Sequence, residues 1–140
     1  MKLTRRNLLI SSSAGFAAVA MGSLPAFASL ADDAIKELTG GAAMGEGAIA
    51  LDAPEIAENG NTVPIGVNAP GAVEITLYAD GNPVPNVATF KFGPLSASRS
   101  ASTRIRLAKT QNVIAVAKME DGSFQMAKAE VKVTIGGCGG

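Results

Sequence analysis

The residues best equipped for chemistry are the last five of the chain, Gly136-Gly137-Cys138-Gly139-Gly140. Cys138 is the only thiol among 140 residues, and the chain contains no histidine. Four glycines around one sulfur mean backbone with no Cβ and little bulk, and ordering such a segment costs more conformational entropy than ordering any other of its length. The expectation is a flexible arm that becomes ordered only when something grips it. Ile135 closes an alternating apolar run, so the fold is expected to stop there. From Ile135 to Cys138 is about 10 Å of extended chain, enough to lift the sulfur off a folded surface and into a narrow cleft of another protein. The plainer alternative is a frayed terminus carrying an incidental cysteine.

Nothing beside Cys138 activates it. There is no neighbouring cation and no helix amino end, and the terminal carboxylate disfavours the thiolate. An ordinary thiol of this kind is ionised to roughly a few per cent at neutral pH. It makes a poor catalyst and a good point of attachment, so activation has to come from a partner. The rest of the chain offers little to compete with it. Without histidine no Ser-His-Asp or Cys-His site can form, and no metal-ligand spacing is present, so neither a metal site nor a cofactor is expected. Asp52, Glu55 and Glu58 lie close in sequence and read best as a solvated acidic face. Glu120-Asp121 sits where a hairpin turn is expected, and turn chemistry accounts for the pair better than acid catalysis does. Arg104 and Arg106 share one side of a strand; they could bind an anion or a partner's carboxylates, although the solvent side of a sheet is the simpler reading.

The segments that must position Cys138 begin after an export signal. Thr4-Arg5-Arg6-Asn7-Leu8-Leu9 is a twin-arginine pattern, an apolar stretch rich in Ser, Ala and Gly runs from Ile10 to Leu24, and Ala26-Phe27-Ala28 places small residues where a signal peptidase reads them. Cleavage after Ala28 would remove Lys2, Arg5 and Arg6, leaving nine basic against twelve acidic residues. A mildly acidic body argues against nucleic acid or an anionic membrane as partner. A single cysteine allows no internal disulfide, and an unpaired thiol in an exported protein points to intermolecular pairing or a reactive group.

The expected organisation is a signal peptide over residues 1–28, a short helix and loop over 29–47, a β-domain over 48–135 and the glycine-rich arm over 136–140. Asp32 to Leu38 reads as the helix, with acidic residues in its first turn and Gly40-Gly41 past its end. Ala42 to Gly47 reads as loop, and Ala48 to Leu51 as the first strand. Val63, Ile65 and Val67 alternate with polar or small residues in a second strand, where Pro64 suggests a sheet edge or a bulge. Val73, Ile75, Leu77 and Ala79 alternate with Glu74, Thr76, Tyr78 and Asp80, the pattern of a half-buried strand. Ala88, Phe90 and Phe92 form the apolar side of the next, and Ser96 to Ser102 reads as loop. Ile105 and Leu107 mark a fifth strand, and Asn112 to Met119 suits a strand buried on both sides. Asp121-Gly122 turns the chain into a last strand, Phe124 to Ile135. The inward parity of that strand changes from even (Phe124, Met126) to odd (Ala129, Val131, Val133), which suggests a β-bulge near Ala127 or Lys128. About seven strands at this spacing predict an all-β, immunoglobulin-like or fibronectin-like β-sandwich.

A twin-arginine leader, an all-β body and a terminal Gly-Gly-Cys-Gly-Gly together resemble the SoxY family, the sulfur-carrier subunits of the periplasmic SoxYZ complex of bacterial thiosulfate oxidation. Ile56-Ala57-Glu58-Asn59-Gly60 followed by Val63-Pro64-Ile65 is similar to that family's early strand region. The resemblance implies that Cys138 holds pathway intermediates covalently, with Gly136, Gly137, Gly139 and Gly140 as the flexible arm. It implies SoxZ as heterodimer partner, co-exported in folded form. Transient contacts would follow with the haem-containing SoxAX, the manganese-dependent hydrolase SoxB and a molybdenum-haem sulfur dehydrogenase. A sheet face or edge left by Pro64 and the bulged last strand is the expected place for a SoxZ-like domain. Three other readings remain in view. One is a carrier activated at the Gly139-Gly140 carboxylate, which would need ATP outside the cytoplasm. Another is a structural module cross-linked through its tail thiol. The third, a lipid-modified cysteine, finds the thiol at the wrong end of the chain.

Overall fold

The computed structural model describes residues 26–134, and side chains from residue 30 onward. The leader up to residue 25, Ile135 and the arm with Cys138 lie outside the described residues. A helix, α1 (Ala26–Thr39), precedes nine strands. They are β1 (Met44–Gly45), β2 (Ala50–Asp52), β3 (Ile56–Ala57), β4 (Val63–Asn68), β5 (Ala72–Ala79), β6 (Asn86–Lys91), β7 (Ser100–Ile105), β8 (Gln111–Met119) and β9 (Phe124–Val133).

Alternation along β4, β5, β7 and β8 builds the main core. Val63, Ile65 and Val67 of β4, Ile105 and nearby Leu107, Ile75 and Leu77 of β5, Val113 and Ala115 of β8 and Val131 of β9 are all buried in one cluster. It fills the space between a sheet of six strands, ordered β1-β9-β8-β5-β6 with β3 also beside β9, and a sheet of three, ordered β2-β4-β7. The all-β, immunoglobulin-like sandwich is thus present, with nine strands where seven were expected. Both extra strands, β1 and β3, are two residues long and pair in parallel with β9. Such short bridges carry no side-chain alternation, so the segment 42–47 reads as loop in sequence although Met44 and Gly45 pair with Phe124 and Gln125.

A second core lies on the outer face of the larger sheet. Ile35 of α1 packs with Tyr78, Ile114 and Val116, joined by Ala34, Leu38, Met44, Phe124 and Met126. This layer corrects two expectations. β5 is not half-buried: Thr76 and Tyr78, on the side read as solvent-facing, are 2% and 1% exposed. Nor does β9 bulge. Its register against β8 runs unbroken from Gln111↔Val131 to Lys118↔Phe124. Phe124 and Met126 point to the helix layer, Ala127, Val131 and Val133 to the sandwich, so the parity changes because one straight strand serves two cores. Burying each large side chain contributes about 1.5–3 kcal/mol, reason enough for a strand to keep apolar residues on both faces.

Three smaller differences have local causes. α1 starts at Ala26 rather than near Asp32, because Ala26 to Ala31 is helix-competent, and its first turn holds no acidic residue. Gly40 and Gly41 end it with φ of 65° and 81°, left-handed values that glycine adopts without strain. Ser100 to Ser102, read as loop, belongs to β7 and pairs with Gly66 to Asn68. β4 is the middle strand of its sheet, yet β2 reaches only to Gly66, so Pro64 sits where that flank of β4 has no partner strand.

Candidate functional site

Cys138 lies beyond the described residues, so what the fold shows of the site is the mount that leads toward it, the backbone up to Thr134. β9 delivers the chain to it. Lys132 N–H donates to Glu55 O at 2.9 Å and Thr134 N–H to Ala57 O at 3.1 Å, so β3 grips one flank of the strand end. On the other flank β8 begins only at Gln111, and a side chain continues its work. Thr110 Oγ1 accepts from Val133 N–H at 2.9 Å and donates to Val133 O at 3.4 Å. Beneath runs the Asn59-Gly60-Asn61 turn. Asn59 closes it by accepting from Asn61 N–H on Oδ1 at 3.0 Å and from Thr62 N–H on its carbonyl at 3.3 Å. Gly60 is needed there for space: a Cβ would lie 2.6 Å from Leu107 O and 2.9 Å from Val133 Cγ1. Leu107 N–H donates to Gly60 O at 2.8 Å, tying the turn to the end of β7.

Val133 and Thr134, the last described residues, are therefore bonded from two directions. Cys138 is four positions beyond Thr134, a reach of at most about 14 Å. The sequence signals found the turn through Asn59 and Gly60. They gave no sign of Thr110, whose partner lies on another strand, and only the family resemblance marked Ile56-Ala57 as strand.

The other residues singled out in sequence do not converge. Asp52 is on exposed β2, and Glu55 and Glu58 flank β3 with their side chains in solvent. Arg104 and Arg106 are both exposed; Arg104 Nη1 reaches Thr62 Oγ1 at 3.5 Å. Glu120 pairs with Arg99 at 3.4 Å. Asp121 caps its own turn, accepting the Ser123 hydroxyl at 2.6 Å and the Ser123 N–H at 2.9 Å. Those two bonds, the hydroxyl's first, hold its carboxyl below the ordinary value of 3.8. Among the described residues no group of three or more His, Cys, Asp or Glu is placed to hold a metal ion. No described helix is long and apolar enough to cross a membrane.

The family model for the sulfur oxidation protein SoxY matches residues 35–138, a span that ends on the cysteine. The chain belongs to the SoxY family. The sulfur carrier protein SoxY from Chlorobium limicola f thiosulfatophilum, a solved structure, is 42% identical, with a TM-score of 0.67 over 77% of this chain and 99% of that one. A superoxide reductase (neelaredoxin) from Ignicoccus hospitalis aligns at 19% identity, with a TM-score of 0.55 over 63% of this chain and 81% of that one. A putative superoxide reductase from Thermotoga maritima aligns at 16% identity, with a TM-score of 0.53 over 66% and 88%. These last two are likenesses of fold alone. No curated protein sequence matches the chain.

Proposed function

We propose that the chain is a periplasmic sulfur carrier, holding intermediates of thiosulfate oxidation covalently on Cys138 and presenting them to the enzymes of the Sox pathway. The observation that supports this best is a family match running the length of the body and ending on the chain's sole thiol. The mount fits the role: it fixes the backbone up to Thr134, four positions before a glycine-flanked thiol.

In the first step the Cys138 thiol loses its proton and forms a bond to the sulfane sulfur of thiosulfate. An electron pair leaves to the haem enzyme SoxAX, giving Cys–S–S–SO3−. Water then attacks the sulfonate sulfur under SoxB, sulfate departs with its oxygen, and a persulfide remains on Cys138. A molybdenum-haem sulfur dehydrogenase, where present, oxidises that sulfane sulfur. The chain itself contributes the attachment atom and no acid, base or cofactor, so it acts as a carrier rather than an enzyme. It pairs with SoxZ, which would travel with it through the twin-arginine route in folded form.

Intact mass tests this. After exposure to thiosulfate and SoxAX, the purified complex should gain a thiosulfonate group that reductant removes, and Cys138→Ser should gain nothing while unfolding at the same temperature. A chain found only as free thiol and disulfide dimer would instead mark a cross-linking module. Loading that survives Cys138→Ser would point to the terminal carboxylate.

A further inference from the structure

The short arm constrains who must touch what. With Cys138 held within about 14 Å of Thr134, an enzyme whose catalytic centre is recessed can receive the sulfur only by lowering its entrance onto the residues around the mount. β3 is the exposed part of that mount. It pairs with β9 on one side and, among the described residues, with no strand on the other. The Glu55 and Ala57 carbonyls are turned toward β9 by their bonds to Lys132 and Thr134. By strand alternation the N–H and C=O of Ile56 between them face outward. Its side chain, level with Lys132, is 57% exposed. Leu95, 98% exposed, lies at the opposite end of the sandwich, in the loop after β6, where Phe92 is bonded to Val73.

We propose that Ile56, with the outward backbone edge of β3, is the seat on which the enzymes that load and unload Cys138 place an apolar rim of their active-site entrance. The inference rests on the carrier reading above. One isoleucine and a two-residue edge are far smaller than the roughly 800 Å² per partner of a stable interface. They suit a contact made and released at every visit, and do not suit a permanent subunit or a second copy.

The test uses the full chain with its partner subunit, and reads kcat/KM for enzymatic conjugation of thiosulfate together with the rate at which iodoacetamide alkylates Cys138. Ile56→Asp should lower kcat/KM about tenfold, chiefly through KM, and Ile56→Ala about threefold, with alkylation and melting temperature unchanged. Leu95→Asp should change kcat/KM by less than about twofold. Equal kcat/KM for Ile56→Asp and the unaltered chain would overturn the proposal. So would loss of the partner subunit from Ile56→Asp on gel filtration, which would assign the residue to the subunit interface. An unaltered chain that takes up no adduct at all removes the carrier reading, and this inference with it.

Discussion

At the start of β9 the chain looks after itself: Asp121 accepts both polar hydrogens of Ser123, and Gly122, with φ of 83°, donates to Met119 across the turn. At the far end nothing local is enough. Val133 is held by Thr110, just before β8, and Thr134 by Ala57 of β3, and Val133 rests against Gly60. A hairpin only has to reverse the chain, and a few adjacent residues can do that. A mount has to fix a direction in space, which takes contacts from elements that are themselves fixed. The cost is that the mount depends on the whole sandwich being folded, whereas the hairpin does not.

Three substitutions would break or sharpen that contrast. Gly60→Ala should have the largest effect, because its Cβ would press on a backbone oxygen as well as on Val133. Overpacking of this kind costs about 1–3 kcal/mol, read as a lower urea midpoint, with faster amide exchange at Val133 and Thr134. An unchanged midpoint would show that the close approach does not matter. Thr110→Val should cost about 1 kcal/mol, since it removes the partner of the Val133 N–H at a site water can reach. Its amide-exchange signature should be confined to the arm end, and equal acceleration at Ser123 would erase the distinction between the two ends. Asp121→Asn should be the mildest, a small loss of stability at neutral pH that disappears in acid. The carboxyl's folded value is depressed, so its contribution is present above about pH 4 and disappears as pH falls through that lowered value. Melting temperature should therefore fall more steeply below pH 4 in the unaltered chain than in the variant; parallel curves would count against the Ser123 bonds.

The same strand explains why the sequence is only partly legible. Alternation located β4, β5 and β6 to within a residue or two, because a residue's neighbours two positions away share its face. It failed where both faces are covered. Phe124 and Met126 belong to the layer under α1, Val131 and Val133 to the sandwich, and a one-core reading can reconcile them only by adding a bulge that is not there. Tyr78 reads as a solvent-side residue for the same reason, yet it is buried under α1. Its burial, with Glu74 and Glu37 nearby, raises its hydroxyl above the ordinary value of 10.0.

What the amino-acid string determined by itself is whatever depends on residue type and near neighbours. That includes the turns at Asn59-Gly60 and Asp121-Gly122, the strand periods, and a sole thiol among glycines in a chain without histidine. Which residues brace the root of the arm was decided by the tertiary structure alone. The bonds from Ala57 to Thr134 and from Thr110 to Val133 join positions that only the pairing of β3 and β8 with β9 brings together. The first is a backbone bond, which leaves no mark on side-chain identity, and the second joins a hydroxyl to backbone 23 positions away, so no local pattern of residues announces either.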